Sequence, residues 1–403
     1  MQVDGLPTLP ITVVVPSFNR ARLLERALNS VAAQRPRPPA EVIVVDDHST
    51  DNSPQVAERF GVRLIRHEHN LGGNAAARET GLRAASHDWV ALLDDDDEWL
   101  PHHLATLWPL TEGSVLVACA CIERSEDSTE HGFHGPLADR PEVLESPAPL
   151  LHPENLIPAS AAMIHRETAM AVGGFRGTLN EPRIGNDARL DLPILGCEDL
   201  DLWCRLITHG RATLSPRVGV LYHTHNGQIS GDWEGMHIAH LNVARSFAGE
   251  EWWSQGLVDR REGITAWDRY RRGRRRGSMQ AEWTFARELL NRPRRALGVL
   301  DVLRHRWAVR RRTSRLASSG EPSIAVLPGA DPTLVPASDR YDVDLSRVST
   351  LRALAHLARR PSAAAIVSAR WQGAAIRLAG VRPAPELEPR PEPQGEAQKA
   401  LTL

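Results

Sequence analysis

Residues 89–99 read WVALLDDDDEW: an apolar run from Trp89 to Leu93, then Asp94, Asp95, Asp96, Asp97 and Glu98 without a break. A short apolar run closed by polar residues suits a strand buried on both faces, as in a parallel sheet. The acids then fall at the carboxyl end of a central strand, where open α/β sheets bind their ligands. Carboxylates this close repel one another, so several staying ionised at neutral pH implies a cation among them. All-oxygen donors suit Mg²⁺ or Mn²⁺, which keep open positions for substrate phosphates. An acidic helix start, with Pro101 near its first turn, accounts for one or two of these acids. Five directly after a buried strand favour a metal site.

Outward from this stretch, strands and helices alternate. Residues 11–15, ITVVV, form a strand ending at Pro16, and a helix follows with Leu23, Leu24, Ala27, Leu28 and Val31 at 3.6 spacing. After PRPP, a second strand at 42–45 runs into Asp46-Asp47-His48-Ser49. Ser53-Pro54 reads as N-cap and first residue of a short helix to Phe60. A third strand at 62–65, a loop at 67–73 and an Ala-rich helix at 74–85 lead back to Trp89. This spacing predicts a parallel sheet of βαβ units. The turn after the first strand is PSFNR, and G-x-x-x-x-G-K-[ST] occurs nowhere, so carboxylates and a cation would replace a glycine nest around any nucleotide.

The chain of 403 residues, 42% hydrophobic, has room for one large domain plus an accessory part, or for two domains. No apolar run approaches transmembrane length, and no basic-then-apolar leader opens the sequence, so a cytoplasmic protein is expected. A net charge of −2 gives the whole chain no electrostatic reason to seek nucleic acid. Cys119 and Cys121 share one face of a strand, and Cys197 and Cys204 flank an acidic helix start. Their spacing fits buried reduced thiols better than zinc or disulfides.

Eight segments carry a resemblance: VVVPSFNR, the helix to SVAAQ, EVIVVDDHSTD, NLGGNAAARETGL, ALLDDDDEWLP, VGGFR, CEDLDLWCRL and LYHTHNGQIS. In this order, over roughly residues 9–250, they resemble the inverting glycosyltransferases of family 2, which have the GT-A fold. The resemblance implies a mostly parallel, doubly wound sheet and a nucleotide-diphosphosugar donor, with a UDP-sugar expected. It makes Pro16 and Ser17 with Asp47 the wall and acidic contact of a base pocket, with Asp46 bracing the turn. Arg78 would face the nucleotide, though as a surface helix residue it could equally pair with Glu79 or its neighbours. By the same resemblance Asp94-Asp95-Asp96 is the D-x-D, with Asp96 the ligand of Mn²⁺ or Mg²⁺ and Asp94 and Asp95 near ribose and diphosphate. Asp97 and Glu98 stay ambiguous and could start a helix at Leu100. Glu198 and Asp199 open a helix, where acids ordinarily cap. The resemblance instead makes Asp199 the catalytic base and Glu198 its helper. His225 matches a histidine that completes the metal site, with His223 as a substitute.

Residues 124–155 and 176–195 read as polar excursions on the acceptor side, and the resemblance ends near Gly249. The expected domains are a transferase domain at 1–250, a basic helical extension at 251–320, a small α/β appendage at 321–382 and a disordered tail at 383–403. In the extension, a helix from about Pro293 should turn Ala296, Leu300, Leu303 and Trp307 to one face. A basic amphipathic helix packs on its own domain or lies on anionic lipid, at the inner face of a membrane. RNA is disfavoured because no stacking aromatic platform accompanies the arginines. The acceptor, whether glycan, lipid carrier, protein or metabolite, is not legible. The alternatives are a sugar-phosphate nucleotidyltransferase, whose glycine-rich first loop is missing, and a non-catalytic nucleotide-sugar or glycan binder.

Overall fold

The computed structural model describes residues 8–125, 132–151, 155–176, 194, 196–225, 228, 232–275, 277 and 279–319. The expected appendage at 321–382 and tail at 383–403 lie outside these residues.

Among the described residues one sheet of ten strands organises the chain. Its strands are β1 (Leu9–Ser17), β2 (Pro39–Asp46), β3 (Arg63–Arg66), β4 (Trp89–Leu92), β5 (Glu98–Trp99), β6 (Leu116–Ser125), β7 (Phe133–His134), β8 (Glu142–Leu144), β9 (Ala162–His165) and β10 (Ala212–Thr224). The order along the sheet is β3-β2-β1-β4-β9-β6-β10-β5, with β7 on β6 and β8 on β10. The β1–β2, β1–β4, β2–β3 and β6–β10 pairs are parallel, and β9 runs antiparallel to both β4 and β6. The architecture is therefore α/β with a mostly parallel sheet.

Side-chain alternation explains why β1, β2 and β4 read as unbroken apolar runs. Val13, Val15, Val44, Ala91 and Leu93 enter the core on one face, and Val14, Ile43, Val45, Val90 and Leu92 the core on the other. Helix α1 (Ala21–Ala32) covers the first face with Leu24, Ala27, Leu28 and Val31. Helices α2 (Ser53–Arg59) and α4 (His103–Leu107) lie on that side as well. Helices α3 (Asn74–Ala84), α5 (Arg166–Ala171) and α6 (Glu198–Ile207) cover the other face, where Trp203 is fully buried and its Nε1–H donates to Ile157 O at 3.0 Å. All four cysteines are free and buried, as their spacing suggests.

Several local expectations are corrected. Helix α2 takes Asn52, not Ser53, as its N-cap, while Asp51 Oδ1 accepts from both Ser53 N and Ser53 Oγ. The acidic run does not start a helix at Leu100: Glu98 lies in β5, and α4 begins at His103. Residues 124–155 are more than a loop, since β7 and β8 extend the sheet.

The chain continues as α7 (Trp233–Ser246), α8 (Gln255–Arg275), α9 (Met279–Asn291) and α10 (Arg295–Ser319). Helix α10 buries Ala296, Val299 and Val302, whereas Trp307 is 36% exposed and Leu300 and Leu303 are only half-buried. The expected face is thus displaced, because α8 and α10 approach too closely for large side chains. A Cβ on Gly263 would overlap Arg295 O, and one on Gly298 would overlap Arg260 O. Farther along, Val309 packs on Ala120, Ile122, Phe133, Val218 and Leu221. Arg312 donates to Pro216 O at 3.1 Å and pairs with Asp139, so α10 packs on its own chain.

Gly81 sets how closely α3 can approach the sheet. A Cβ there would overlap Val14 Cγ1 and stand 2.9 Å from Cγ2 and 3.2 Å from Cβ. Val14 is β-branched and stiff, so it cannot turn aside cheaply. Gly81→Ala should therefore destabilise by about 1–3 kcal/mol despite its better helix propensity, measured as a lower thermal midpoint.

Candidate active site

The carboxyl ends of the parallel strands open on a cleft of about 760 Å³. Its lining includes Pro16, Ser17, Asp47, Arg78, Asp94, Asp95, Asp96, Glu198, Asp199 and His225. Asp46 is absent from that lining. Its buried Oδ2 accepts from Ser49 N at 3.1 Å and pairs with Arg66 Nε at 3.1 Å, bracing the turn after β2. Asp47 accepts from Leu71 N at 3.0 Å, Gly72 N at 3.2 Å and His67 Nδ1 at 2.7 Å, which fastens the 67–73 loop to the rim.

Arg78 is the centre of the arrangement. It does not pair with Glu79, which instead holds Arg83 and the backbone N–H of Phe175. Arg78 Nη2 forks onto Asp94 Oδ1 at 2.7 Å and Oδ2 at 2.9 Å, and Nη1 reaches Glu198 Oε1 at 2.9 Å. Burial works against its charge, but Asp94, Glu198 and Asp199 outweigh that and hold its pKa above the ordinary value. One guanidinium thus ties the end of β4 to the first turn of α6.

Asp199 stands beside this bridge. Its Oδ1 accepts from Leu200 N at 2.7 Å and its Oδ2 from Asn155 Nδ2 at 3.3 Å. Burial and then the charge of Glu198 push its carboxyl up to about 7, against the pull of Arg78. A carboxylate titrating near neutrality suits a general base.

The acidic run divides its labour. Oxygens of Asp94, Asp96 and Asp97 lie within 4.8 Å of one another. His225 Nε2 meets Asp96 Oδ2 at 3.1 Å, whereas His223 turns to Glu98 at 2.7 Å. Asp97, ambiguous in the sequence, is fully buried, accepting from Ser160 Oγ at 2.5 Å and His223 N at 2.9 Å. Burial, then Asp96 and Asp94, lifts its pKa well above the carboxylate range. Asp95 is pushed up to about 7 by burial, with Arg20 opposing. Hard oxygen donors under this mutual repulsion fit a divalent cation of the Mg²⁺ or Mn²⁺ kind. Asp96 and Asp94 are the better placed to hold it, because they line the cleft while the buried Asp97 is not among its lining residues.

Two arginines next to the acids have no signal in the sequence pattern. Arg20 Nη1 contacts Asp95 Oδ1 at 3.1 Å and Asp96 Oδ2 at 2.7 Å, and Arg26 bonds Asp96 O. Both sit on or just before α1, more than 65 residues away in the chain, where no periodicity links them to the acids.

Residues 12–179 match the family model described as glycosyl transferase family 2. Residues 12–179 are thus similar to a family 2 glycosyltransferase domain. Over 232 residues this chain is 31% identical to the pre-mycofactocin glycosyltransferase of Mycobacterium tuberculosis, covering 55% of this chain and 44% of that protein. Over 131 residues it is 33% identical to GalNAc(5)-diNAcBac-PP-undecaprenol beta-1,3-glucosyltransferase of Campylobacter jejuni, covering 31% and 42% respectively. The chain spans less than half the length of these two relatives. Among solved structures, it is similar to S. aureus TarS 1–349 in complex with UDP-GlcNAc, with a TM-score of 0.49, 17% identity and 87% of each chain covered. The family 2 domain joins the acidic run of β4 to Arg78, while α6, which carries Glu198 and Asp199, follows the matched segment. Among the described residues no helix is long and apolar enough to cross a membrane.

Removing Arg78 strands Asp94 and the buried Glu198 without a counter-charge. Arg78→Met should cost about 3–5 kcal/mol, read as a fall in the thermal midpoint at pH 7.

Proposed function

We propose that this chain is a cation-dependent, inverting glycosyltransferase that moves a sugar from a nucleotide-diphosphosugar, a UDP-sugar, to an acceptor hydroxyl. One observation carries the proposal: the Asp94–Arg78–Glu198 bridge, which brings a cluster of carboxylate oxygens and the carboxylate of Asp199 into the same cleft. The family match supports the reaction class. The length of the relatives not spanned here makes donor and acceptor proposals of their own.

In this reading the nucleotide lies against Pro16 and Ser17, with Asp47 fixing the loop that forms one wall and offering an acceptor to the base. A divalent cation held by Asp94 and Asp96, with His225 beside them, would supply charge neutralisation for the leaving diphosphate. Asp199 takes the proton of the acceptor hydroxyl as its oxygen attacks the anomeric carbon. Attack from the face opposite the leaving group inverts that centre. Glu198 keeps Arg78 in place and raises the proton affinity of Asp199. Asn155 and Leu200 N–H hold the Asp199 carboxylate toward the cleft.

Screening nucleotide-sugars with Mn²⁺ by thermal shift and donor hydrolysis tests the reading directly. A panel with no cation-dependent binding would overturn it. Asp96→Ala should weaken cation-supported donor binding by at least about tenfold, measured by calorimetry at fixed Mn²⁺. Near wild-type donor hydrolysis in this variant would remove Asp96 from the cation site.

Asp199→Asn keeps the side-chain shape but cannot accept a proton, and it sets an N–H against Asn155 Nδ2. Transfer should fall by about 10²–10⁴ while the donor Kd stays unchanged. The pH profile gives a second check, because Asp199 works only when ionised. With its pKa raised to about 7, transfer should drop as pH falls below that point and level off above it. Glu198, Arg78 and Asp94 are the charges facing Asp199. Glu198→Gln removes the nearest like charge and should move the limb to lower pH. A profile flat from pH 6 to about 8 in the wild type would exclude Asp199 as the base.

A further inference from the structure

The cleft is not closed by the family domain alone. Arg261 of α8, beyond the matched residues 12–179, lines it together with Cys197, Met236 and His240. Arg261 is 6% exposed. Its Nη2 donates to His237 Nδ1 at 3.0 Å, and His237 Nε2 lies 3.2 Å from Asp268 Oδ2. These bonds specify a neutral imidazole that accepts from Arg261 and donates to the Asp268 carboxylate. Burial, opposed by the Asp268 bond, holds the His237 pKa below its ordinary value, in keeping with that form. Asp268 is itself steadied by Arg271 and Arg306 at 3.7 Å each. The guanidinium is therefore seated by a relay running back through the basic extension.

Its contacts tie it to the α6–α7 side of the cleft. Most of the groups proposed for the nucleotide and cation lie at the ends of β1, β2 and β4, with His225 just after β10. Arg261 shares the lining with Cys197, whose Sγ contacts Met236 O at 3.9 Å and which directly precedes Glu198 and Asp199. The positive charge of Arg261 opposes the rise of the Cys197 thiol pKa that burial causes. An acceptor delivering its hydroxyl to Asp199 would pass this guanidinium. Arginine presents a planar fork of N–H donors matched to oxyanions, and its charge persists at any working pH.

We propose that Arg261 selects an acceptor bearing an anionic oxygen group, a phosphate ester or a carboxylate, on the Asp199 side of the cleft. This deepens the glycosyl-transfer reading and rests on it. Arg261 is the specificity residue, and His237 and Asp268 are positioning residues.

The test uses the full chain with Mn²⁺ and a saturating nucleoside diphosphate, so that the donor end is filled. It is titrated calorimetrically with phenyl phosphate, benzoate and uncharged benzyl alcohol. At least one anion should bind ten times more tightly than the alcohol, and which anion does so names the group. Arg261→Gln should abolish that preference and Arg261→Lys should retain part of it. Asp268→Asn should weaken it without changing nucleoside diphosphate affinity. Equal affinity for all three probes in the wild type, or an undiminished preference in Arg261→Gln, would overturn the assignment. If Arg261→Gln also lost nucleoside diphosphate binding, the ratio measured in Asp268→Asn would decide. Loss of nucleoside diphosphate binding in the wild type would instead refute the transferase reading itself.

Discussion

The cleft depends on one buried cation. Asp94 and Glu198 come from segments more than a hundred residues apart, and without Arg78 between them their charges would drive β4 and α6 apart. A buried ion pair is weak evidence for net stability, since desolvation consumes much of the Coulombic gain. What Arg78 supplies is geometry: a planar fork on one carboxylate and a single bond to another fix their separation. Asp199 is Glu198's neighbour in the chain, and its raised proton affinity comes first from burial and then from the charge of Glu198.

How Arg78 comes to be there is a matter of packing. Helix α3 lies close on β1 because Gly81 presents no side chain to Val14. Ala75, Ala76 and Ala77 keep the rest of that surface small, which lets a long arginine run beneath α6. The family match and the sheet order describe the frame. These small residues bring the chemistry of two distant segments within hydrogen-bond length.

Much of this was legible in the sequence. The alternation of apolar runs with helical periodicity gave the α/β sheet, and WVALL followed by five acids located the strand whose end holds the acidic cluster. Long-range pairings were not legible. Periodicity could offer Arg78 only a local partner, Glu79, because the pattern carries no information about Glu198, 120 residues on. Asp97 looked like a helix start until Ser160 and His223 N–H enclosed it. The face of α10 is not legible from the spacing of its apolar side chains, because Gly263 and Gly298 set the α8–α10 contact. Arg261 has no signal in the sequence pattern, and only the packing of α8 against α7 brings it into the cleft.

The claim that one guanidinium couples the cation site to the catalytic helix is tested most directly by a double-mutant cycle on unfolding free energy, with Arg78→Met and Glu198→Gln singly and together. Residues in direct contact show coupling of about 0.5–3 kcal/mol, and the account predicts a value in the upper half of that range. Additive effects, with coupling indistinguishable from zero, would contradict it.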